Sequence, residues 1–113
     1  MTEPSIRHGN FDSLAGDYAQ YRPGYALSIV PAVQRRSHLP IVVDPSHGTG
    51  RRSKVLPLSR AAVAAGANGI LVEVHHDPDH ALSDGPQSIL PDELNQLIHE
   101  IRQIAGVLGR TIN

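Results

Sequence analysis

The chain has 113 residues, 10 Lys and Arg against 11 Asp and Glu, a net charge of -1 at pH 7 and no cysteine. This length allows one small domain with a modest core, and the absence of cysteine excludes disulfides, thiolate metal ligands and a cysteine nucleophile. The charge gives no reason to expect nucleic acid or a membrane surface as a partner, and no apolar run reaches the ~20 residues of a membrane span. No apolar h-region follows Met1, as a secretory signal would require, so we expect a cytoplasmic location.

The N-terminal part is predicted to be a leader over residues 1–27. Its segment 11–25, "FDSLAGDYAQYRPGY", is suited to a short helix that Gly16 interrupts and "RPG" stops. From Leu27 to Arg36 the apolar residues fit one helical face, which Pro31 limits to one or two turns.

Two apolar, β-branched runs predict two strands. "IVVD", residues 41–44, and "GILVEV", residues 69–74, show no alternation and are typical of strands buried on both faces, as in parallel sheets. Between them "LPLSRAAVAAG" predicts a helix with Pro57 in its first turn and Gly66 at its end. The strands begin about one βαβ length apart, roughly 30 residues, so we expect them to be parallel neighbours.

A loop of sixteen residues, 75–90, precedes the clearest helix of the chain. This helix starts at Pro91, ends at Gly109 and carries one apolar face. The order strand, polar loop, helix, strand, polar loop, helix predicts an α/β fold with ligands at the carboxyl ends of the strands. The apolar face consists of Leu94, Leu97, Ile98, Ile101, Ile104, Ala105 and Leu108.

Three potential metal ligands follow the predicted strands. His47 lies beyond the first strand, Glu73 near the end of the second and Asp84 in the next loop, so neighbouring strands bring all three to one point. One nitrogen and two carboxylates suit Mn²⁺, Fe²⁺, Co²⁺ or Zn²⁺. The alternative is structural: His47 caps the loop through a backbone hydrogen bond, Glu73 pairs with an arginine, and Asp84 turns the chain before Gly85.

Substrate contacts are less sharply indicated. Arg51 and Arg52 stand beside two glycines, a composition that holds phosphate through guanidinium and backbone N–H groups. A solvated pair of arginines before a helix explains the same residues equally well. His75 is a candidate contact to substrate or to the metal ligands.

The strings "LPIVVDPSHGTGRR" and "PLSRAAVAAGANGILVEVHHDPDHALSDGPQSI", with the last helix, resemble the C-terminal end of 3-deoxy-7-phosphoheptulonate (DAHP) synthase. The resemblance covers about residues 28–110. It implies a (β/α)₈ barrel, of which these residues form the last two βα units. It also implies a transferase that condenses phosphoenolpyruvate with erythrose 4-phosphate, the first step of the shikimate pathway to the aromatic amino acids.

The resemblance also implies site residues. In the family the histidine of "DPSH", the glutamate of "VEVH" and the aspartate of "LSDG" bind a divalent metal, Mn²⁺ or similar, and these fall on His47, Glu73 and Asp84. Arg51, Arg52 and His75 are then candidates to line the substrate cleft. The chain departs from the family at three positions: His76 replaces a proline, His80 a lysine, and Leu90 a Ser or Thr that caps the last helix.

Residues 28–113 are therefore predicted to be a partial barrel domain. A whole barrel takes about 250 residues, and the family's fourth metal ligand, a cysteine near the first strand, is absent from this chain. We expect an incomplete chain that self-associates or packs on another polypeptide. The alternatives are a non-catalytic remnant or interaction module, and a related 3-deoxy-octulosonate 8-phosphate synthase activity, although the "SHGTGRR" loop favours the erythrose 4-phosphate enzyme.

The leader follows a different pattern. Residues 11–25 resemble the start of a class I S-adenosylmethionine-dependent methyltransferase, in which such a segment precedes a strand and a Gly-rich cofactor loop. No such loop follows here. The alternative is an incidental Tyr-rich amphipathic segment.

Overall fold

The computed structural model describes residues 28–113. The predicted leader, 1–27, and its methyltransferase-like segment lie outside these residues. The described elements, in chain order, are helix α1 (28–34), strand β1 (Val42–Val43), helices α2 (Pro45–Thr49) and α3 (Arg52–Ala64), strand β2 (Gly69–Ile70), 3₁₀ turns at Pro78–His80 and Gly85–Gln87, and helix α4 (Pro91–Val107). None of the helices in this part is long and apolar enough to cross a membrane.

The two strands are parallel neighbours, as predicted. Val42 pairs with Gly69 and Val43 with Ile70. Side-chain and backbone groups extend this pairing at both ends: Asn68 Oδ1 accepts a hydrogen bond from the Ile41 amide at 2.9 Å, and the Leu71 amide donates to the Val43 carbonyl at 2.9 Å. The carboxyl ends of both strands therefore lie at the same edge of the sheet.

The chain after β2 remains extended and forms a second parallel contact. Val74 and Ile89 form an isolated bridge, with the Ile89 amide donating to the Glu73 carbonyl at 2.9 Å and the His75 amide donating to the Ile89 carbonyl at 3.0 Å. These hydrogen bonds hold the end of the predicted long loop beside the segment from which the loop starts. Ile89 is also completely buried under α3 and α4.

Burial of the strands on both faces was predicted wrongly. Ile70 and Val43 pack against the core, but Val42 is 60% exposed and Leu71 55% exposed. Successive side chains of a strand point to opposite faces. Within residues 28–113 the helices cover one face of the two-stranded sheet, and Val42 and Leu71 point to the other.

Helix α3 begins earlier than the sequence indicates. It starts at Arg52, so Pro57 lies in its second turn rather than its first. Gly50, at φ 64°, ends the short helix α2, and Arg51, at φ −135° and ψ 121°, is the extended residue from which α3 starts. The fixed φ of proline is compatible with a helix, and its presence removes one backbone N–H donor.

Two apolar clusters meet on α3. The first joins Val30 of α1, Ala62 of α3 and Ala67, and the second joins Val55 of α3 to Ile89 and Leu97. One helix therefore connects α1 and the sheet to α4.

Helix α4 agrees with its prediction, beginning at Pro91 and ending before Gly109, which has φ +70°. Leu90 occupies the capping position without a side-chain acceptor. Glu93 Oε2 nevertheless accepts a hydrogen bond from the Leu90 amide at 2.7 Å, which is one half of a capping box.

An ion pair joins α3 to α4. Arg60 Nε donates to Glu100 Oε2 at 2.7 Å, and this hydrogen bond lowers the pKa of Glu100 below its ordinary value. A depressed carboxyl pKa stabilises the folded state above the unfolded pKa, and this contribution is lost as the pH falls through the folded pKa.

We predict that Arg60→Met lowers the free energy of unfolding at neutral pH and that the difference from wild type shrinks as the pH falls through the pKa of Glu100. Methionine keeps an unbranched apolar stem at this position while removing the charge. Urea unfolding from pH 7 to pH 3 measures the effect. Glu100→Gln should show the same loss at neutral pH, and a pH-independent difference for Arg60→Met would contradict the prediction.

Candidate metal centre

Three side chains converge at the carboxyl edge of the sheet. His47, Glu73 and Asp84 each offer one ligand atom, and these atoms all lie within 4.8 Å of one another. His47 Nε2 is 3.5 Å from Glu73 Oε1 and 3.6 Å from Asp84 Oδ2. The side chains are about half-exposed, at 48%, 41% and 43%, so the cluster is open to solvent and to a ligand.

Asp44 positions the imidazole. It is the residue before α2, and its Oδ1 accepts a hydrogen bond from the His47 amide at 2.9 Å. Its second oxygen, Oδ2, lies 2.7 Å from His47 Nδ1. The side chain therefore caps the helix and holds the imidazole ring by one nitrogen, which leaves Nε2 directed at the two carboxylates.

Glu73 is fixed through its backbone. The buried Ser46 hydroxyl accepts a hydrogen bond from the Glu73 amide at 3.0 Å, which ties the loop after β1 to the chain after β2. The Glu73 carbonyl accepts from the Ile89 amide on its other side. Because Leu71 is exposed whereas Ile70 and Val72 pack in the core, the alternation of the strand places Glu73 on the same face as Leu71.

Asp84 has an unusual backbone conformation. Its φ is +57°, the only positive value among the non-glycine residues 28–113. The turn is closed by Ser88, whose hydroxyl donates to the Asp84 carbonyl at 2.8 Å. The next residue, Gly85, is buried, and a Cβ there would overlap the carbonyl oxygen of Pro78. A tight turn thus holds Asp84 in the left-handed region, which costs an L-residue about 1–2 kcal/mol.

The charges of the cluster favour a cation. The hydrogen bond to Asp44, reinforced by the charges of Asp84 and Glu73, raises the pKa of His47 above its ordinary value. Three carboxylates thus surround a single imidazole. A proton on His47 partly compensates this negative charge, and a divalent ion would do so more completely.

The residues present fit such an ion. Ligand atoms that share a first-row divalent metal at about 2.0–2.2 Å lie about 3 to 4 Å apart, close to the separations of 3.5 and 3.6 Å found here. One imidazole and two carboxylates form a mixed nitrogen and oxygen set suited to Mn²⁺, Fe²⁺, Co²⁺ or Zn²⁺.

The predicted substrate contacts are placed differently. Arg51 is exposed, whereas Arg52 turns toward the 3₁₀ turns, with Nη2 3.4 Å from the Gly85 carbonyl oxygen and 3.7 Å from Asp79 Oδ1. His75 is partly buried, its Nδ1 accepts from the Asp77 amide at 2.9 Å, and its ring stacks on His76. Their roles toward substrate stay predictions.

The structural alternatives are realised only in part. The cap of the loop is Asp44, not His47, and the ion pair of Glu73 is with His47 rather than an arginine. Asp84 does turn the chain before Gly85, as the alternative states, and at the same time faces His47. The residue that sequence reasoning missed is Asp44, although the spacing Asp-x-x-His is a helix-capping spacing that signals it.

The comparison with known proteins shows which family the chain belongs to. The model of the DAHP synthetase I family matches residues 16–108. The chain belongs to the DAHP synthetase I family. This match begins inside the segment that resembles a methyltransferase start, and the boundary at residues 27 and 28 stays a prediction.

Individual relatives match over most of the chain. The chain is 53% identical over 87 residues to the phospho-2-dehydro-3-deoxyheptonate aldolase of Thermotoga maritima, which covers 77% of this chain and 26% of that protein. It is 36% identical to the 2-dehydro-3-deoxyphosphooctonate aldolase of Desulfotalea psychrophila, over 67% of this chain and 31% of that protein. The chain thus spans about a quarter to a third of the length of these relatives.

The structural comparison shows the fold. The crystal structure of the Thermotoga maritima DAHP synthase matches with a TM-score of 0.75 over 77% of this chain and 26% of that one. A truncated form of the same enzyme matches equally well over 33% of its length. Residues 28–113 accordingly have the fold of part of a (β/α)₈ barrel, as predicted, in a family of generally metal-dependent enzymes that use phosphoenolpyruvate and erythrose 4-phosphate.

We predict that Gly85→Ala destabilises the chain by about 1 to 3 kcal/mol because the new methyl group overlaps the Pro78 carbonyl. Gly106→Ala is the matched control. It lies in α4, and a methyl group added there would meet no atom within 4 Å apart from the helix's own backbone and its chain neighbours, so it should stabilise by about 0.5–1 kcal/mol. Chemical denaturation measures both, and equal effects of the two substitutions would contradict the prediction.

Proposed function

We propose that this chain supplies the divalent metal site of a DAHP synthase barrel, which condenses phosphoenolpyruvate with erythrose 4-phosphate. The convergence of His47 Nε2, Glu73 Oε1 and Asp84 Oδ2 is the observation that carries the proposal. Mn²⁺ or a similar ion is the metal that this ligand set fits. The cytoplasmic location predicted from the sequence is part of the same proposal.

The chain's own residues have distinct tasks in this proposal. His47, Glu73 and Asp84 hold the ion, Asp44 and Ser46 position the first two, and Arg51, Arg52 and His75 line the approach of the substrates. An ion bound there supplies Lewis-acid polarisation of the aldehyde that phosphoenolpyruvate attacks.

The second candidate reaction differs only in the acceptor sugar. Several relatives are 2-dehydro-3-deoxyphosphooctonate aldolases, at 36% to 40% identity. An eight-carbon product and a three-carbon phosphoenolpyruvate imply a five-carbon acceptor, whereas the heptonate requires a four-carbon one. The 53% identity to the heptonate enzyme supports the four-carbon acceptor.

Metal binding by the purified chain is the first test. We predict that His47→Ala lowers the affinity for Mn²⁺ by more than the about 10- to 100-fold typical of residues that only support a ligand. Electron paramagnetic resonance of free Mn²⁺ measures the affinity. His99→Ala, an exposed histidine of α4 whose Nε2 lies 3.0 Å from Gln103 Nε2, is the control and should leave it unchanged.

A chimera tests the reaction itself. Residues 28–110 of this chain replace the corresponding residues of the Thermotoga maritima enzyme, to which the chain is 53% identical over 87 residues. We expect consumption of phosphoenolpyruvate with erythrose 4-phosphate, faster than with a pentose phosphate, and loss of it in the His47→Ala chimera. A folded, Mn²⁺-binding chimera that is inactive with both sugars would support the non-catalytic remnant instead.

We further propose that the uncovered face of the sheet packs on the remaining strands of a barrel. Val42 and Leu71 are more than half-exposed on that face, so a covering layer would bury apolar side chains. The backbone groups at the outer edges of two parallel strands separately need neighbouring strands as hydrogen-bond partners. In the purified chain the same face would favour self-association, since a second copy presents the same apolar surface.

Substitution of Val42 and Leu71 tests this packing. We predict that the purified chain associates in a concentration-dependent manner and that Val42→Thr with Leu71→Thr shifts it toward monomer. Val107→Thr, at a position 87% exposed at the end of α4, is the control. Sedimentation velocity over a range of concentrations measures the effect, and a cooperative monomer at every concentration would contradict the proposal.

A further inference from the structure

The two oxygens of Asp44 have different partners. Oδ1 accepts from the His47 backbone amide at 2.9 Å and Oδ2 lies 2.7 Å from His47 Nδ1. A carboxylate can only accept hydrogen bonds, so the short contact requires a proton on Nδ1. In the neutral imidazole the other nitrogen, Nε2, then carries a free lone pair.

Nε2 is the nitrogen that faces the cluster, 3.5 Å from Glu73 Oε1 and 3.6 Å from Asp84 Oδ2. A metal ligand must present a lone pair, and a proton on Nε2 would block it. The tautomer of His47 therefore decides whether the cluster offers three ligand atoms or two.

We propose that Asp44 is a positioning residue that selects the Nδ1–H tautomer of His47 and so makes Nε2 available to a divalent cation. The inference rests on the proposed metal site and adds a role that is independent of capping. Asp44 holds the ring directly, whereas the cap requires only its other oxygen.

The chain contains a second Asp–His contact of the same kind, and a histidine with the opposite tautomer. Asp77 Oδ2 lies 2.8 Å from His80 Nδ1 at the same three-residue spacing, although His80 belongs to no metal cluster among the described residues. His75 Nδ1 accepts a hydrogen bond from the Asp77 amide, which requires the proton on Nε2. The structure thus assigns opposite tautomers to His47 and His75.

Asp44→Asn separates capping from tautomer selection. Asparagine caps helices as well as aspartate, and its oxygen can keep the bond from the His47 amide. Its NH₂ group then faces Nδ1 and donates, which forces Nδ1 to accept and moves the proton to Nε2. The reversed amide is disfavoured because it would place two donors, the NH₂ group and the backbone N–H, against each other.

The test combines ring ¹⁵N NMR of the metal-free chain, at a pH where the imidazole is neutral, with Mn²⁺ affinity. We expect His47 to be Nδ1–H in the wild type and Nε2–H in Asp44→Asn, with Mn²⁺ affinity reduced about 10- to 100-fold. Asp77→Asn should alter His80 and leave the Mn²⁺ affinity unchanged. Asp44→Ser, which caps but cannot reach Nδ1, should also shift His47 toward Nε2–H, because the carboxylates of Glu73 and Asp84 still face Nε2.

The two parts of the test distinguish the possible failures. An unchanged His47 tautomer in Asp44→Asn overturns the inference, as does an Nε2–H ring in the wild type. If the wild-type chain binds no Mn²⁺ while the tautomers behave as expected, the proposed metal site fails and the role of Asp44 in selecting the tautomer stands.

Discussion

The parallel pairing of β1 and β2 is the constraint on which the rest of the structure depends. Parallel strands end at the same edge of the sheet, so residues that follow them meet although they are distant in sequence. The hydrogen bond from the Glu73 amide to the Ser46 hydroxyl extends this register beyond the ladder into the loops. Without this hydrogen bond, the separation of His47 and Glu73 would be set by two unconnected loop segments.

The sequence was sufficient to predict the features that depend on patterns over many residues. The boundaries of α4 follow from helical periodicity with Pro91 and Gly109 at its ends. The parallel strands follow from two continuous apolar runs about one βαβ length apart, and the convergence of the three ligands follows from their positions after these strands. Features that depend on a single contact were not predictable in this way. The start of α3 is set by the conformations of Gly50 and Arg51, which local apolar patterning does not encode.

Burial of the strands shows a second limit, because a continuous apolar run indicates that both faces of a strand are apolar but not what covers each face. Here α3 and the chain around it cover the face of Ile70 and Val43, while the opposite face remains exposed within residues 28–113.

The cluster also shows why local strain and local charge occur together. Asp84 keeps a left-handed backbone that Gly85 and Ser88 enforce, and this conformation directs its carboxylate at His47. Glu73 and Asp84 then lie close to each other at Nε2 of an imidazole whose Nδ1 contacts a third carboxylate, Asp44. Packing alone gives no reason for such an arrangement, since the like charges repel and the left-handed conformation costs energy. A bound cation would make the electrostatic energy of these carboxylates favourable, because each would be attracted to the ion.

The uncovered face and the cluster are physically coupled. Strand alternation places Glu73 on the face of Leu71, so whatever covers the apolar part of that face also excludes water from the neighbourhood of the cluster. Removing water lowers the local dielectric constant, which strengthens both the repulsion among the carboxylates and their attraction for a cation. Covering this face without a cation is therefore opposed by the acidic cluster, and binding a cation removes that opposition. Packing of a partner on this face and cation binding at the proposed site would thus favour each other, because each interaction is stronger in the presence of the other.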